Sequence, residues 1–160
     1  MPSAPHDLAA FLVEAKRRTY AGLDDDATVA APLLTGSKQL EHHAPPYAYR
    51  DIYFGMGFFV GQETVSRDER VIWSMSYSGG VRAEITEREI FLAIYKFLRQ
   101  ALLRVGVEEP YRGPRLFEQD GMAYRNEIEG GIDRVHGVET IARQDGTPLY
   151  ELRYGSGLLR

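Results

Sequence analysis

"GQETVSR" (Gly61–Arg67) and "GVETIAR" (Gly137–Arg143) set nearly the same phrase twice in one chain of 160 residues. Each copy places a carboxylate between small and β-branched residues. The match extends outward on both sides. Upstream, "YAYRD" (Tyr47–Asp51) aligns with "MAYRN" (Met122–Asn126), and downstream "IWSMSYSGGV" (Ile72–Val81) aligns with "LYELRYGSGL" (Leu149–Leu158). The length differences fall in the turn-like stretches around "FGMGF" and "EGGID" and around "DERV" and "QDGTP", where insertions are tolerated. That distribution predicts a duplicated unit, with residues 7–84 and 85–160 as its two copies in a single domain over 1–160.

A helical signal opens each half. Leu8, Phe11, Leu12 and Ala15 share one face of the first helix, expected over Leu8–Tyr20 with Asp7 as N-cap, basic residues Lys16, Arg17 and Arg18 near its end, and Gly22 as its stop. In the second, Thr86 and Glu89 have the spacing of a capping box and Ile85 and Ile90 that of a hydrophobic staple. Ile90, Phe91, Ile94, Phe97, Leu98, Ala101, Leu102 and Val105 then form a wide apolar stripe, with Gly106 placed to close the helix. After each helix comes a Pro-, Gly- and Asp-rich loop, and "KQLEHH" and "RLFE" offer a short extra strand in each half.

Side chains alternate across a strand, so parity sorts them into faces. Tyr49, Tyr53, Phe59, Val65, Trp73, Met75 and Tyr77 make the inner set of the first half. Tyr124, Val135, Ile141, Tyr150, Leu152 and Tyr154 make that of the second. The same parity turns Asp51, Gly61 and Glu63 inward, with Asn126, Gly137 and Glu139 in the same places. Folding the hairpins about their turn centres sets Glu63 opposite Tyr49 and Met75, and Gly61 opposite Tyr77. Glu139 then lies near Tyr124 and Leu152, and Gly137 faces Tyr154. Each glycine leaves room for a tyrosine ring across its strand, and each glutamate can accept hydrogen bonds from tyrosine hydroxyls. A buried carboxylate without such partners would cost several kcal/mol or take up a proton.

The expected fold class is α+β: two similar helix-plus-antiparallel-strand repeats forming one curved sheet, with the helices packed on one face. Glu63, Glu139, Asp51, Asn126, Tyr49, Tyr124, Trp73, Tyr77, Tyr150 and Tyr154 are the candidate ligand-binding residues. They would line a polar, aromatic pocket, or else lock two separate hairpins. Tyrosine and tryptophan faces attract cations and the acids add to that, so a small polar or cationic ligand in a sensor or regulatory role is the leading expectation. An interaction module, pairing as a homodimer through a sheet edge or outer face, is the alternative. A hydrolase or isomerase using Glu63 or Glu139 comes third, with no catalytic residue assigned.

Composition narrows the partners. A net charge of −4, with no basic run interleaved with aromatics, disfavours nucleic-acid binding by this chain alone. The absence of cysteine removes disulfides and thiolate chemistry, and suits a reducing cytoplasm. No apolar stretch approaches the length of a membrane span, and no secretory signal is evident. No cofactor is expected, and no metal. His42 and His43 are adjacent and point to opposite faces of a strand, and Asp24–Asp26 lacks the alternation of a calcium loop. Arg50 and Arg125 recur on the outer face.

"FLVEAKRRTYAG", "YRDIYFG", "FVGQETV", "IWSMSYSG" and "PYRGP", in this order, resemble a family of bacterial domains of unknown function, found alone or C-terminal to XRE-type helix-turn-helix regulators. The resemblance spans nearly the whole chain and implies a small cytoplasmic domain with a sensing or oligomerisation role. It carries no catalytic residues. The segment before Leu8 is too short for a helix-turn-helix, so DNA binding is not expected to transfer.

Overall fold

Period-two burial along the strands and period-3.6 burial along the helices build an α+β fold. A computed structural model describes residues 5–19, 21 and 28–160, with side chains from residue 7 onward. In chain order the elements are α1 (Pro5–Arg18), β1 (Lys38–Ala44), β2 (Tyr47–Gly55), β3 (Phe58–Arg67), β4 (Arg70–Val81), α2 (Arg88–Leu102), β5 (Leu116–Gln119), β6 (Met122–Gly131), β7 (Arg134–Arg143) and β8 (Pro148–Leu158). The strands form one open antiparallel sheet in the order β1-β2-β3-β4-β8-β7-β6-β5. Two four-strand meanders therefore meet at β4–β8, where Tyr77 stands opposite Tyr154. No helix among the described residues is long and apolar enough to cross a membrane.

The most deeply buried apolar strand residues have the inward parity read from the sequence: Tyr49, Val65, Trp73, Met75, Tyr124, Val135, Ile141, Tyr150 and Leu152, each 1% exposed or less. Onto that face α1 brings Leu8, Phe11, Leu12 and Ala15, and α2 brings Ile94, Phe97, Leu98, Ala101 and Leu102, all in one contiguous core. Burying each such large side chain contributes about 1.5–3 kcal/mol, so this shared face holds the helices to the sheet. The two short extra strands are β1 and β5. A type I′ turn at Asp120 (φ 52°) and Gly121 (φ 78°) joins β5 to β6.

The helix ends depart from the sequence reading. Asp7 lies within the first turn of α1, which begins at Pro5, so it complements the helix dipole and does not cap. Tyr20, Gly22 and Asp24–Asp26 lie outside the described residues. In α2 the N-cap is Glu87, with no side-chain capping bond, so Thr86 and Glu89 form no capping box. Ile85 and Ile90 do pack, half-buried, against the core. The helix ends at Leu102 with Leu103 as C-cap, and Gly106 belongs to a bridge with Glu109 beyond it.

The hairpin registers differ from the sequence reading by two residues. Asp51, not Tyr49, stands opposite Glu63, and Asn126, not Tyr124, stands opposite Glu139. The turns centre one residue later than the sequence suggests, and an even shift leaves every side chain on its face. On the other side the expected pairs are present: Glu63 with Met75, Gly61 with Tyr77, Glu139 with Leu152 and Gly137 with Tyr154.

At both glycines a ring crosses the strand. A β-carbon on Gly61 would lie 2.3 Å from the Tyr77 hydroxyl, and one on Gly137 would lie 2.1 Å from Cζ of Tyr154. Gly137→Ala is therefore expected to cost about 1–3 kcal/mol in urea unfolding, the usual penalty for overpacking. Gly131→Ala, whose β-carbon would meet nothing within 4 Å, should stay within about 0.5 kcal/mol. Equal effects of the two changes would show that the ring does not need the vacant space.

Candidate functional site

The rings that cross the glycines end on polar groups two strands away. Tyr77, on β4, donates to Oδ1 of Asp51 on β2 at 2.6 Å, and Tyr154, on β8, donates to Oδ1 of Asn126 on β6 at 2.9 Å. Burial, then the charge of Asp51, pushes the Tyr77 hydroxyl far above the usual tyrosine range, so it stays a donor.

Glu139 is saturated. Arg112 grips it through Nε (3.1 Å to Oε2) and an η nitrogen (2.8 Å to Oε1), while Tyr124 and Tyr150 donate at 2.6 and 2.8 Å. Two-point arginine–carboxylate contact of this kind is the strong form of the ion pair. Asn126 is satisfied too, since its amide donates to the Gly113 carbonyl at 3.1 Å. The Tyr111–Gly113 turn thus closes this half of the interior.

The other half is built on Lys16. This lysine is fully buried, donates to Oε2 of Glu63 at 2.6 Å, and stands over the Trp73 ring at 5.7 Å. Burial pulls its ammonium below the usual lysine range, and the charge and hydrogen bond of Glu63 hold it up. Oε1 of Glu63 and Nε1 of Trp73 have no hydrogen-bond partner among the described residues. Asp51 receives one side-chain hydrogen bond among them, from Tyr77. Burial, then the facing charge of Glu63, pushes the Asp51 carboxyl up to about 7 against the pull of Tyr77, Lys16 and Arg112. Three carboxyl groups and two bases therefore share one interior, and Asp51 is the acid left over.

Asp51 lines a cleft of about 290 Å³ between α2 and the β2–β4 part of the sheet. Its walls are Tyr53, Phe59, Tyr77, Phe91 and Tyr95, whose rings form a continuous run: Phe59 lies 6.0 Å from Tyr77, 6.4 Å from Tyr53 and 6.3 Å from Tyr95, and Tyr95 lies 4.9 Å from Phe91. The Tyr95 hydroxyl donates to the Met56 carbonyl at 2.5 Å, tying α2 to the β2–β3 turn at the edge of the cleft. Arg112 reaches the cleft as well, with its guanidinium 5.5 Å from the Tyr77 ring.

Of the ten sequence candidates, this cleft brings together Asp51 and Tyr77. Glu63, Glu139, Tyr49, Tyr124, Trp73, Tyr150 and Asn126 are buried in the interior behind it, and Tyr154 lies among them as the donor to Asn126. The aromatic faces and acids assigned to a cation already hold the chain's own Lys16 and Arg112. Sequence reading missed both bases. Lys16 continues the Leu8–Leu12 row of α1 at i+4 spacing, which was the available signal. Arg112 sits in an irregular turn with no periodicity to betray it. Outside the site, Arg50 pairs with Glu41 at 2.8 Å.

The chain belongs to a domain family of unknown function, DUF5680, whose model matches residues 51–159. Asp51, Glu63, Arg112 and Glu139 all fall inside the match, and Lys16 precedes it. No curated protein and no solved structure matches the chain.

Glu63→Gln should cost about 3–5 kcal/mol, because it leaves the Lys16 charge buried without its counterion. Lys16→Met should cost a similar amount for the converse reason. The double variant should cost clearly less than their sum in a urea double-mutant cycle. Simple additivity would show that the pair is not coupled.

Proposed function

We propose that this chain is a small-molecule-binding domain in a sensing or regulatory role, in which a polar or cationic ligand enters the aromatic cleft and gives its donor group to Asp51. The observation that carries this reading is the contrast between Asp51 and Asn126. The two occupy matching register positions, each opposite a glutamate and each bonded by a tyrosine that crosses a glycine. Asn126 has partners for both its donor and its acceptor. Asp51 has one side-chain hydrogen-bond partner among the described residues, an ionisable head and a cleft in front of it. Scaffold needs alone would be met by a second asparagine.

The cleft also has the composition of a ligand site, with apolar walls and few convergent polar groups. Five rings provide faces for an apolar or cationic body, each such contact contributing about 0.5–2 kcal/mol. We further read residues 7–84 and 85–160 as two copies of one ancestral unit. The matching registers on both sides of Glu63 and Glu139 support that reading. On it, one copy has kept the interior closed and the other has opened it.

The groups facing Asp51 are Glu63 from β3, Tyr77 from β4, Lys16 from α1 and Arg112 from the turn after α2. An ammonium ligand binds the ionised carboxylate, and Asp51 ionises as the pH rises through about 7. Affinity for phenethylammonium, which keeps its charge throughout, should therefore rise about tenfold between about pH 6 and about pH 8. Calorimetric titration measures this, and Asp51→Asn should weaken binding and flatten the profile. Equal affinity at both pH values, or an Asp51→Asn variant that binds unchanged, would overturn the assignment.

A further inference from the structure

The cleft is not electrically uniform along its depth. Its inner end holds Asp51, only 2% exposed, beside the buried Tyr77 and Arg112. Its outer end is lined by Lys38, Lys96 and Arg99, all exposed to solvent. Lys96 and Arg99 are three residues apart on α2, and neighbours at that spacing share a helix face. Lys38 stands directly across the β1–β2 pair from Tyr53. Burial, then the charge of Asp51, pushes the Tyr53 hydroxyl up and the charge of Arg99 pulls it down, so this wall residue lies within electrostatic reach of both groups. Asp51 is the single acid among the lining residues.

A simple monocation fits this arrangement poorly. It would gain Asp51 and the aromatic walls, but it must pass and then remain near three exposed bases, whose field repels it. A simple anion gains the outer bases and then meets a buried carboxyl at the floor. A molecule with both charges, at opposite ends of an apolar body, satisfies each region.

Resting on the proposed binding role of Asp51, we infer that the ligand is amphoteric: an amine or similar cation at the inner end, a carboxylate or phosphate at the outer end, and a ring or short chain between. The aromatic run goes from Tyr77, bonded to Asp51, through Phe59 to Tyr95, the residue before Lys96, with ring centroids 6.0 and 6.3 Å apart, so a ligand that meets both groups carries its charges apart. An ω-amino acid has this pattern, whereas an α-amino acid carries both charges on one carbon. The exposed bases then act as a selectivity filter for the acidic end, and Asp51 as the inner anchor.

The test uses the full chain and three probes in calorimetric titration at about pH 8: 4-(aminomethyl)benzoate, benzylamine and 4-methylbenzoate. The bifunctional probe is expected to bind about tenfold or more tighter than benzylamine, with an advantage that shrinks at high salt. Lys96→Gln/Arg99→Gln should remove the bifunctional probe's advantage over benzylamine, and benzylamine itself should bind slightly tighter once the repelling charges are gone. Both positions are exposed, and an unchanged melting temperature confirms that this variant is folded. If benzylamine binds through Asp51 but the carboxylate adds nothing, the amphoteric inference fails and the cleft reading survives. If 4-methylbenzoate binds as tightly as the bifunctional probe, or if none of the three binds at millimolar concentration, both fail.

Discussion

One tyrosine ring laid across a glycine sets the terms for this interior. Tyr77 crosses Gly61 to reach Asp51, and Tyr154 crosses Gly137 to reach Asn126. Each crossing ties three strands together on the helix-facing side, through a contact that any β-carbon at the glycine would abolish. Because the hydroxyl is buried, it must end on an acceptor, and an unmade bond there would cost about 1–3 kcal/mol. The acceptor in turn sits opposite a glutamate, Glu63 or Glu139. Sterics at a glycine thus dictate where polar groups enter an otherwise apolar core.

From that shared frame the two halves reach different electrostatic ends. Around Glu139 every polar atom is answered, by Arg112, Tyr124 and Tyr150, and Asn126 carries no charge to balance. Around Glu63 a lysine ammonium replaces the guanidinium, a tryptophan stands where the other half has Tyr150, and a second acid faces the first. Buried pairs of this kind contribute little net stability compared with apolar packing, but breaking one is costly. The surplus acid is therefore held in place by its surroundings rather than by its own contribution. On the proposed reading, such a group is kept for binding rather than for folding. Lys16 comes from α1, ahead of the span shared with the family, so the first helix is part of the electrostatic balance as well as of the apolar core.

Much of this architecture was legible in the chain. The alternation in "IWSMSYSGGV" and "LYELRYGSGL" fixed which residues face inward, because burial on one face leaves a period of two in the sequence. The pairing of each glycine with its tyrosine followed from the same parity. Register was harder. Turn centres in "FGMGF" and "EGGID" are set by backbone conformation, and a shift by two residues leaves the pattern of faces intact, so parity could not detect it. The consequence fell on the site, since the true register brings Asp51 and Glu63 face to face. Helix ends were misread for a related reason: caps depend on backbone geometry that Thr86, Glu89 and Gly106 permit but do not impose. The cleft itself was beyond sequence reading. Its walls come from Phe59 on β3 and from Phe91 and Tyr95 on α2, a meeting of distant segments that no local pattern encodes.

The claim on which the functional account rests is that Asp51 titrates near neutrality inside a cleft, while the matching position in the other half cannot titrate at all. Carboxyl-carbon NMR of protein labelled at aspartate reads this directly. One aspartate resonance should move with a midpoint near 7, and that resonance should vanish in Asp51→Asn. A spectrum in which every aspartate titrates in the ordinary acidic range, with none assigned to Asp51 near neutrality, would contradict the account.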